Sequence, residues 1–169
     1  MTKRKLTVIM KVRKEKGERK MKVGIGSDHN AFEMKQELLA YIEAKGIEVK
    51  DYGCFSPEEV DYPDIAFNVA NGVVDKEIDR GILCCGTGIG MAMAANKIPG
   101  VRAAQVHDTY SAERAQLSNN AQIITMGSKI IGVDVAKKIV DEYLSVTFEG
   151  GNSGRKIDQI MEKEAEYSK

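Results

Sequence analysis

Several features are missing from this sequence of 169 residues, and each absence closes off a class of function. No apolar run approaches the length needed to cross a bilayer. There is no net charge, since 25 Lys and Arg balance 25 Asp and Glu. The balance is uneven along the chain. Residues 1–20 carry nine basic side chains against Glu15 and Glu18, a surplus of seven, so the remainder is acidic by the same amount. An acidic body argues against nucleic acid as the main partner. Cysteines number only three, with Cys84 and Cys85 adjacent, so there is no disulfide framework and a reducing cytoplasm fits best. No clustered Cys/His spacing offers a metal site such as zinc. The Cys84-Cys85 pair also lacks the two-residue gap of a thioredoxin-type redox motif. No internal repeat is visible, and no small-residue cleavage site follows the short apolar run Leu6–Met10, which argues against a signal peptide.

What remains is the composition of an ordinary soluble domain, long enough for one sizeable core. Residues 1–20 read as a basic leader, a disordered tail or a stretch upstream of a natural start at Met21, with Gly17 weakening any helix there. The competing reading is a basic arm for nucleic acid or a membrane; deleting the leader separates the two. Residues 21–169 read as a single domain.

From Met21 the pattern is regular. Met21–Gly26 is a strand, followed by the polar turn Ser27-Asp28-His29-Asn30 and a helix over Ala31–Lys45 with Phe32, Leu38, Leu39 and Ile42 on one face. Ile47–Tyr52 alternates as a second strand. A loop to Pro63 and a helix over Asp64–Asp75 come next. Arg80–Cys85 is a third strand with a helix from Gly88 to Lys97, and Val101–Val106 a fourth with a helix to Leu117. Ala121–Met126 is a fifth, and helices over Gly132–Ser145 and from Arg155 onward close the chain. Strands alternating with helices predict right-handed crossovers and a parallel sheet covered on both faces. Ligands of such sheets sit beyond the carboxyl ends of the strands. Asp28 and His29, Cys85 to Gly90, His107 and Asp108, and Met126 to Lys129 are therefore expected along one rim.

The centre of interest is Leu83-Cys84-Cys85-Gly86-Thr87-Gly88-Ile89-Gly90, a strand running into a tight glycine turn and then a helix. Alternate glycines let the backbone turn sharply and leave its N–H groups uncovered, which suits an anion. No Lys-Ser/Thr follows the glycines, so this is not a P-loop, and the spacing is not that of a dinucleotide fingerprint. Cys84 is in phase with Ile82 and reads as a buried small hydrophobe. Cys85 ends the strand at the lip of the turn, where a thiolate would be stabilised. Cys54 reads as a bystander in a loop. His29, beside Asp28 and before a helix, is placed like a site residue. His107 has two readings, a substrate contact or a helix cap together with Asp108.

Together these stretches resemble a known family. Ser27-Asp28-His29, Asp61-Tyr62-Pro63, Cys85-Gly86-Thr87-Gly88-Ile89-Gly90, Ala95-Asn96-Lys97 and Gly127-Ser128 occur in the order seen in ribose-5-phosphate isomerase type B and the related galactose-6-phosphate isomerase subunits. The resemblance runs from about Met21 to Ile160. It implies a three-layer α/β/α, Rossmann-like (flavodoxin-like) fold with a five-stranded parallel sheet, and dimers with active sites at the subunit interface, possible tetramers being left open. It further implies aldose–ketose isomerisation of a sugar phosphate through a cis-enediolate, of the ribose 5-phosphate/ribulose 5-phosphate type, without metal or organic cofactor. Cys85 matches the general base, Thr87 a group that helps protons move between the two oxygens, and the amides of Gly86, Gly88, Ile89 and Gly90 the anion hole. Asp28, His29, Tyr62, His107, Ser118 and Asn119 match substrate-binding positions.

The chain departs from the ribose type at named positions. Ser118 stands where those members place a ring-opening histidine. Lys129, Asn152 and Lys156 stand where they place phosphate-binding arginines, with Arg155 one residue out of step. The run Ser118–Gly127 instead resembles a branch acting on erythrulose 4-phosphate, an open-chain substrate that needs no ring opening. Ribose 5-phosphate stays open if His29 or His107 substitutes. A reading of another class, a non-catalytic phosphosugar-binding module, predicts that Cys85→Ala leaves function intact.

Overall fold

The alternation of apolar strands with amphipathic helices produces five parallel strands and six helices in the computed structural model, which describes residues 20–167. Apart from Lys20, the basic leader lies outside the described residues. The strands are β1 (Lys22–Ser27), β2 (Glu48–Asp51), β3 (Arg80–Cys85), β4 (Ala103–Gln105) and β5 (Ile123–Gly127). The helices are α1 (Phe32–Ala44), α2 (Tyr62–Val74), α3 (Ile89–Ala95), α4 (Thr109–Leu117), α5 (Val133–Ser145) and α6 (Asn152–Tyr167). The sheet runs β2-β1-β3-β5-β4, so β5 inserts between β3 and β4 and leaves β4 at an edge. Every neighbouring pair is parallel.

All six residues of β3 are buried, as expected of the middle strand of a sheet covered on both faces. One face packs against α1, α4 and α5 through Leu38, Ile42, Ala112, Ile139, Val140 and Tyr143. The other packs against α2 and α3 through Ile65, Val69, Ala70, Met91 and Ala95. Successive β3 side chains serve opposite layers: Ile82 and Cys84 join the first core, Leu83 and Cys85 the second.

Element ends shift from the sequence expectation for local reasons. Asp28 caps a short 3-10 turn over His29–Ala31 before α1 begins, its Oδ1 accepting from the Ala31 amide at 3.2 Å. α2 starts at Tyr62 rather than Asp64, because Pro63 has the backbone angle of a first helical turn. β4 is shorter than Val101–Val106, since the Arg102 amide is taken by Gln122 Oε1 at 2.8 Å. α6 begins at Asn152 rather than Arg155, directly after Gly150 and Gly151, whose φ angles of 82° and 67° complete the reversal.

At Ala103 the β4 margin is closed in an unusual way. The Asn96 carboxamide donates to the Ala103 carbonyl at 2.8 Å and accepts from the Ala103 amide at 2.8 Å. A side chain thus takes the place of a neighbouring strand's peptide. At the opposite end of the strands, where β3 begins, the buried Arg80 donates to the carbonyls of Tyr143 (2.6 Å) and Val146 (2.7 Å). Its guanidinium lies 4.9 Å from the Tyr143 ring centroid, and Tyr143 in turn donates to the Ala121 carbonyl at 2.8 Å. This fixes the end of α5 where the strands start. Among the described residues no helix is long and apolar enough to cross a membrane.

Candidate active site

The carboxyl end of β3 delivers Cys85 into the glycine turn. Gly88 has φ +78°, and a Cβ there would stand 2.9 Å from the Met126 backbone, so only glycine fits between the turn and β5. In this conformation the Gly88 amide donates to Cys85 Sγ at 3.0 Å. Cys85 is 5 % exposed. The Ile89 amide donates to Thr87 Oγ1 at 3.3 Å. Cys84 points to the other layer, fully buried, and burial pushes its thiol up to about 12. The adjacent cysteines therefore serve opposite layers, Cys84 in the first core and Cys85 in the second, beside the glycine turn.

The remaining rim residues close around the same turn. The Asp28 amide donates to the Cys84 carbonyl at 3.2 Å, placing the β1 turn beside Cys85. His29 Nδ1 accepts from the Val60 amide at 3.3 Å, which ties the loop after β2 to this turn. The Ser128 amide donates to the Cys85 carbonyl at 2.8 Å and the Lys129 amide to the Gly86 carbonyl at 3.0 Å. A Cβ on Gly86 would lie 3.5 Å from the Lys129 side chain and 3.9 Å from Asn30. Tyr62 lies against Gly90, where a Cβ would come within 2.6 Å of its ring. His107 Nε2 accepts from the Gly127 amide at 2.9 Å, so the proton of the neutral ring sits on Nδ1. The capping role falls to Asp108, whose carboxylate accepts from the Ser111 amide and hydroxyl, both at 2.7 Å, and is held below the usual range by those bonds. Asp28, His29, Tyr62, Cys85 to Gly90, His107 and Lys129 thus share one rim.

Ser118, Asn119, Asn152, Arg155 and Lys156 do not join them. α4 runs back from the rim, and Ser118 caps its far end with Asn119 just beyond, next to the start of β5. The segment holding the other three leaves from Val146 at the Arg80 lock. It is tied again by the Arg102–Met161 contact at 3.0 Å and by the Gly100 amide, which donates to Glu164 at 2.7 Å, both just before β4. These anchors all lie where strands begin, opposite the rim. Within one chain the candidate residues fall into two groups at opposite ends of the sheet.

Three residues near the rim escaped the sequence reading. Lys35 is fully buried, its ammonium donating to Asp51 (2.6 and 2.8 Å) and to the Cys54 carbonyl (2.7 Å). Cys54 is accordingly no loose bystander: it is buried, with Sγ 3.7 Å from Ser27 Oγ. The only available signal was a lysine on the stripe of Phe32, Leu38 and Ile42. Gln105 and Thr125 touch the glycine turn from β4 and β5 and gave no signal. A cavity of ≈ 540 Å³ opens beside this region, lined by Cys54, Phe55, Val60, Asp61 and Asp64 among others, but no residue of the glycine turn lines it. Among the described residues no group of three His, Cys, Asp or Glu side chains is placed to hold a metal ion.

With this geometry in view, comparison with known proteins is informative. Residues 23–160 match the family described as Ribose/Galactose Isomerase. The chain belongs to the ribose/galactose isomerase family. Ribose-5-P isomerase B of Listeria innocua is 51% identical over 142 residues, covering 84% of this chain and 96% of that relative. D-erythrulose-4-phosphate isomerase of Pectobacterium atrosepticum is 46% identical over 142 residues, covering 83% and 93%. The structure of Clostridium thermocellum ribose-5-phosphate isomerase B superposes with a TM-score of 0.85 at 43% identity, covering 87% of this chain and 99% of that one. The three-layer α/β/α architecture is that of these ribose/galactose isomerase relatives, and relatives named for two different sugar phosphates flank this chain at similar identity.

Proposed function

We propose that this protein is an aldose–ketose isomerase of a phosphorylated sugar, with each active site completed by a second copy of the chain. The observation that carries the reading is the Cys85 thiol at the end of the central strand, 3.0 Å from an amide of a glycine turn ringed by polar side chains. A proton next to a carbonyl is weakly acidic. Its removal needs a base acting near neutrality and donors aimed at the oxyanion that develops. Cys85 takes the proton from the carbon beside the carbonyl and returns it to the neighbouring carbon. The amides of Gly86 to Gly90 hold the enediolate oxygens, and Thr87 passes a proton between them. Asp28, His29, Tyr62 and His107 line the sugar, and Lys129 draws the phosphate to the rim. These steps use only side chains and backbone amides. The three free thiols suit a reducing compartment, and we place the enzyme in the cytoplasm.

The two-group arrangement supports a shared site. A two-fold axis perpendicular to the strands sets the starting end of one sheet against the rim of the other. Asn119 of one copy would then meet the enediolate of its partner, with Asn152, Arg155 and Lys156 closing around the phosphate. Ile89 (50 % exposed) and Met93 (64 % exposed), one turn apart on α3 beside the glycine turn, give that association an apolar contact. Mixing Cys85→Ala with Asn119→Ala protein tests it. Each variant alone is inactive, and re-equilibrated mixtures regain about a quarter of wild-type activity, because half the dimers are mixed and each holds one intact site. No recovery on mixing overturns the shared site.

Ser118 favours the shorter substrate. A tetrose 4-phosphate cannot close a five-membered ring through its phosphorylated oxygen, so its isomerase needs no ring-opening histidine. Turnover of purified protein on erythrulose 4-phosphate and on ribose 5-phosphate decides between them: kcat/KM is higher on erythrulose 4-phosphate, and equal efficiency on ribose 5-phosphate removes the preference. Turnover of neither sugar overturns the isomerase reading for these substrates.

A further inference from the structure

The glycine turn is held from behind by two side chains on neighbouring strands. Gln105 Nε2 donates to the Thr87 carbonyl at 2.7 Å. Thr125 Oγ1 donates to the Gly88 carbonyl at 2.8 Å. Gln105 and Thr125 are register partners in the parallel β4–β5 pair. Parallel pairing puts the side chains of register partners on one face of the sheet, so both reach the same turn. The two carbonyls belong to consecutive peptides. Across a trans peptide the C=O and N–H point in opposite directions. Anchoring the Thr87 carbonyl therefore aims the Gly88 N–H, which lands on Cys85 Sγ. Anchoring the Gly88 carbonyl aims the Ile89 N–H, which lands on Thr87 Oγ1.

We propose that Gln105 and Thr125 are positioning residues that set the two peptide planes of the anion hole, Gln105 governing the amide on the Cys85 sulfur and Thr125 governing the amide beside Thr87. The Gly88 carbonyl also accepts from the Ala92 amide at 3.2 Å, the first bond of α3, but that bond lies along the helix and fixes the plane in one direction only. The buried Thr125 hydroxyl, fully shielded from water, supplies the second direction. Donation into a carbonyl also polarises its peptide and makes the paired N–H a stronger donor. The proposal rests on Cys85 as base and on the glycine turn as the oxyanion site.

The test separates the two peptides. Cys85 in the intact protein is alkylated with iodoacetamide at pH 7 and followed by mass spectrometry, a readout that needs no substrate. Gln105→Met keeps the side chain's length and loses its donor; it slows Cys85 alkylation about threefold to tenfold, because the Gly88 amide is no longer aimed at Sγ and the sulfur loses its fixed position. Thr125→Val keeps the shape and loses the hydroxyl; it lowers kcat about tenfold with little change in KM, less than the loss from deleting an oxyanion donor outright. Thr125→Ser restores kcat to within about twofold, which a packing role would not produce. Turnover is measured on whichever of erythrulose 4-phosphate and ribose 5-phosphate the wild type converts. Unchanged alkylation in Gln105→Met, unchanged kcat in Thr125→Val, or a Thr125→Ser variant as slow as Thr125→Val overturns the proposal. If Cys85→Ala keeps full turnover, the isomerase mechanism fails instead, while the alkylation result still decides whether Gln105 positions the turn.

Discussion

Replacing Lys35 by methionine isolates a clamp under the rim. The Lys35 ammonium has no solvent access, donates to both Asp51 oxygens and the Cys54 carbonyl, and lies 5.7 and 5.5 Å from the ring centroids of Phe32 and Phe55. Methionine fills the volume of the stem, so the loss is electrostatic rather than a cavity. Removing one partner of a fully buried pair costs about 3–5 kcal/mol. Asp51 is not fully buried: its side chain keeps 23% exposure, and Oδ1 also accepts from the Gly53 amide at 2.8 Å. The abandoned carboxylate can therefore recruit water, and the expected cost falls to about 2–3 kcal/mol. Urea unfolding at pH 7, followed by circular dichroism, reads this as a lower midpoint at constant slope. Asp51→Asn alone strands a fully buried ammonium and costs more, about 3–5 kcal/mol. The double variant strands neither charge, so its loss is smaller than the two single losses together by at least about 1 kcal/mol. A Lys35→Met loss below about 0.5 kcal/mol, or strict additivity in the double variant, refutes the clamp. The same substitution loosens the loop that carries Val60, whose amide holds His29, so kcat/KM falls along with stability.

Three other outcomes follow from the same geometry. Cys85→Ala lowers kcat by at least about a hundredfold with unfolding midpoint unchanged, measured by coupled turnover and thermal melting. Gly90→Ala places a methyl carbon 2.6 Å from the Tyr62 ring and forces that side chain outward; since Tyr62 is 39 % exposed it can move, so the fold survives while kcat/KM drops on the order of tenfold. Cys84 makes stability fall at alkaline pH: its thiol is held neutral in the native state up to about 12 against an ordinary 9.0, so its contribution is complete below pH 9.0 and lost as pH rises toward about 12. Unfolding free energy should decline by up to about 1.4 kcal/mol per pH unit in that window, and Cys84→Ala should flatten the decline.

Some of this was readable in the sequence because local and global demands agree. β3 runs over Arg80–Cys85 in both readings, since the apolar run Gly81–Cys85 belongs in the middle of a covered sheet. The rim was readable for a similar reason: chain direction alone assigns the turns after β1, β3, β4 and β5 to one end. The same logic, applied to the connection after α4, places Ser118 and Asn119 at the other end, but likeness to known enzymes had grouped them with Cys85. Lys35 was hidden because its partners Asp51 and Cys54 lie beyond the end of α1, and no local pattern records a contact made across a layer. Gln105 and Thr125 were hidden because neither strand's sequence states that β5 slips between β3 and β4. Their pairing exists only once that order is chosen.

The Asn96 carboxamide has a consequence beyond holding β4 in place. An uncovered sheet margin offers its peptide groups to any extended segment that drifts past, in the same molecule or another. Here the groups of Ala103 that face outward are already answered by a side chain too short to extend the ladder. At that residue the ladder has a built-in stop, which hinders a further strand from pairing there. Fibre-like growth, in which register is set by backbone pairing alone, is thereby disfavoured at this position.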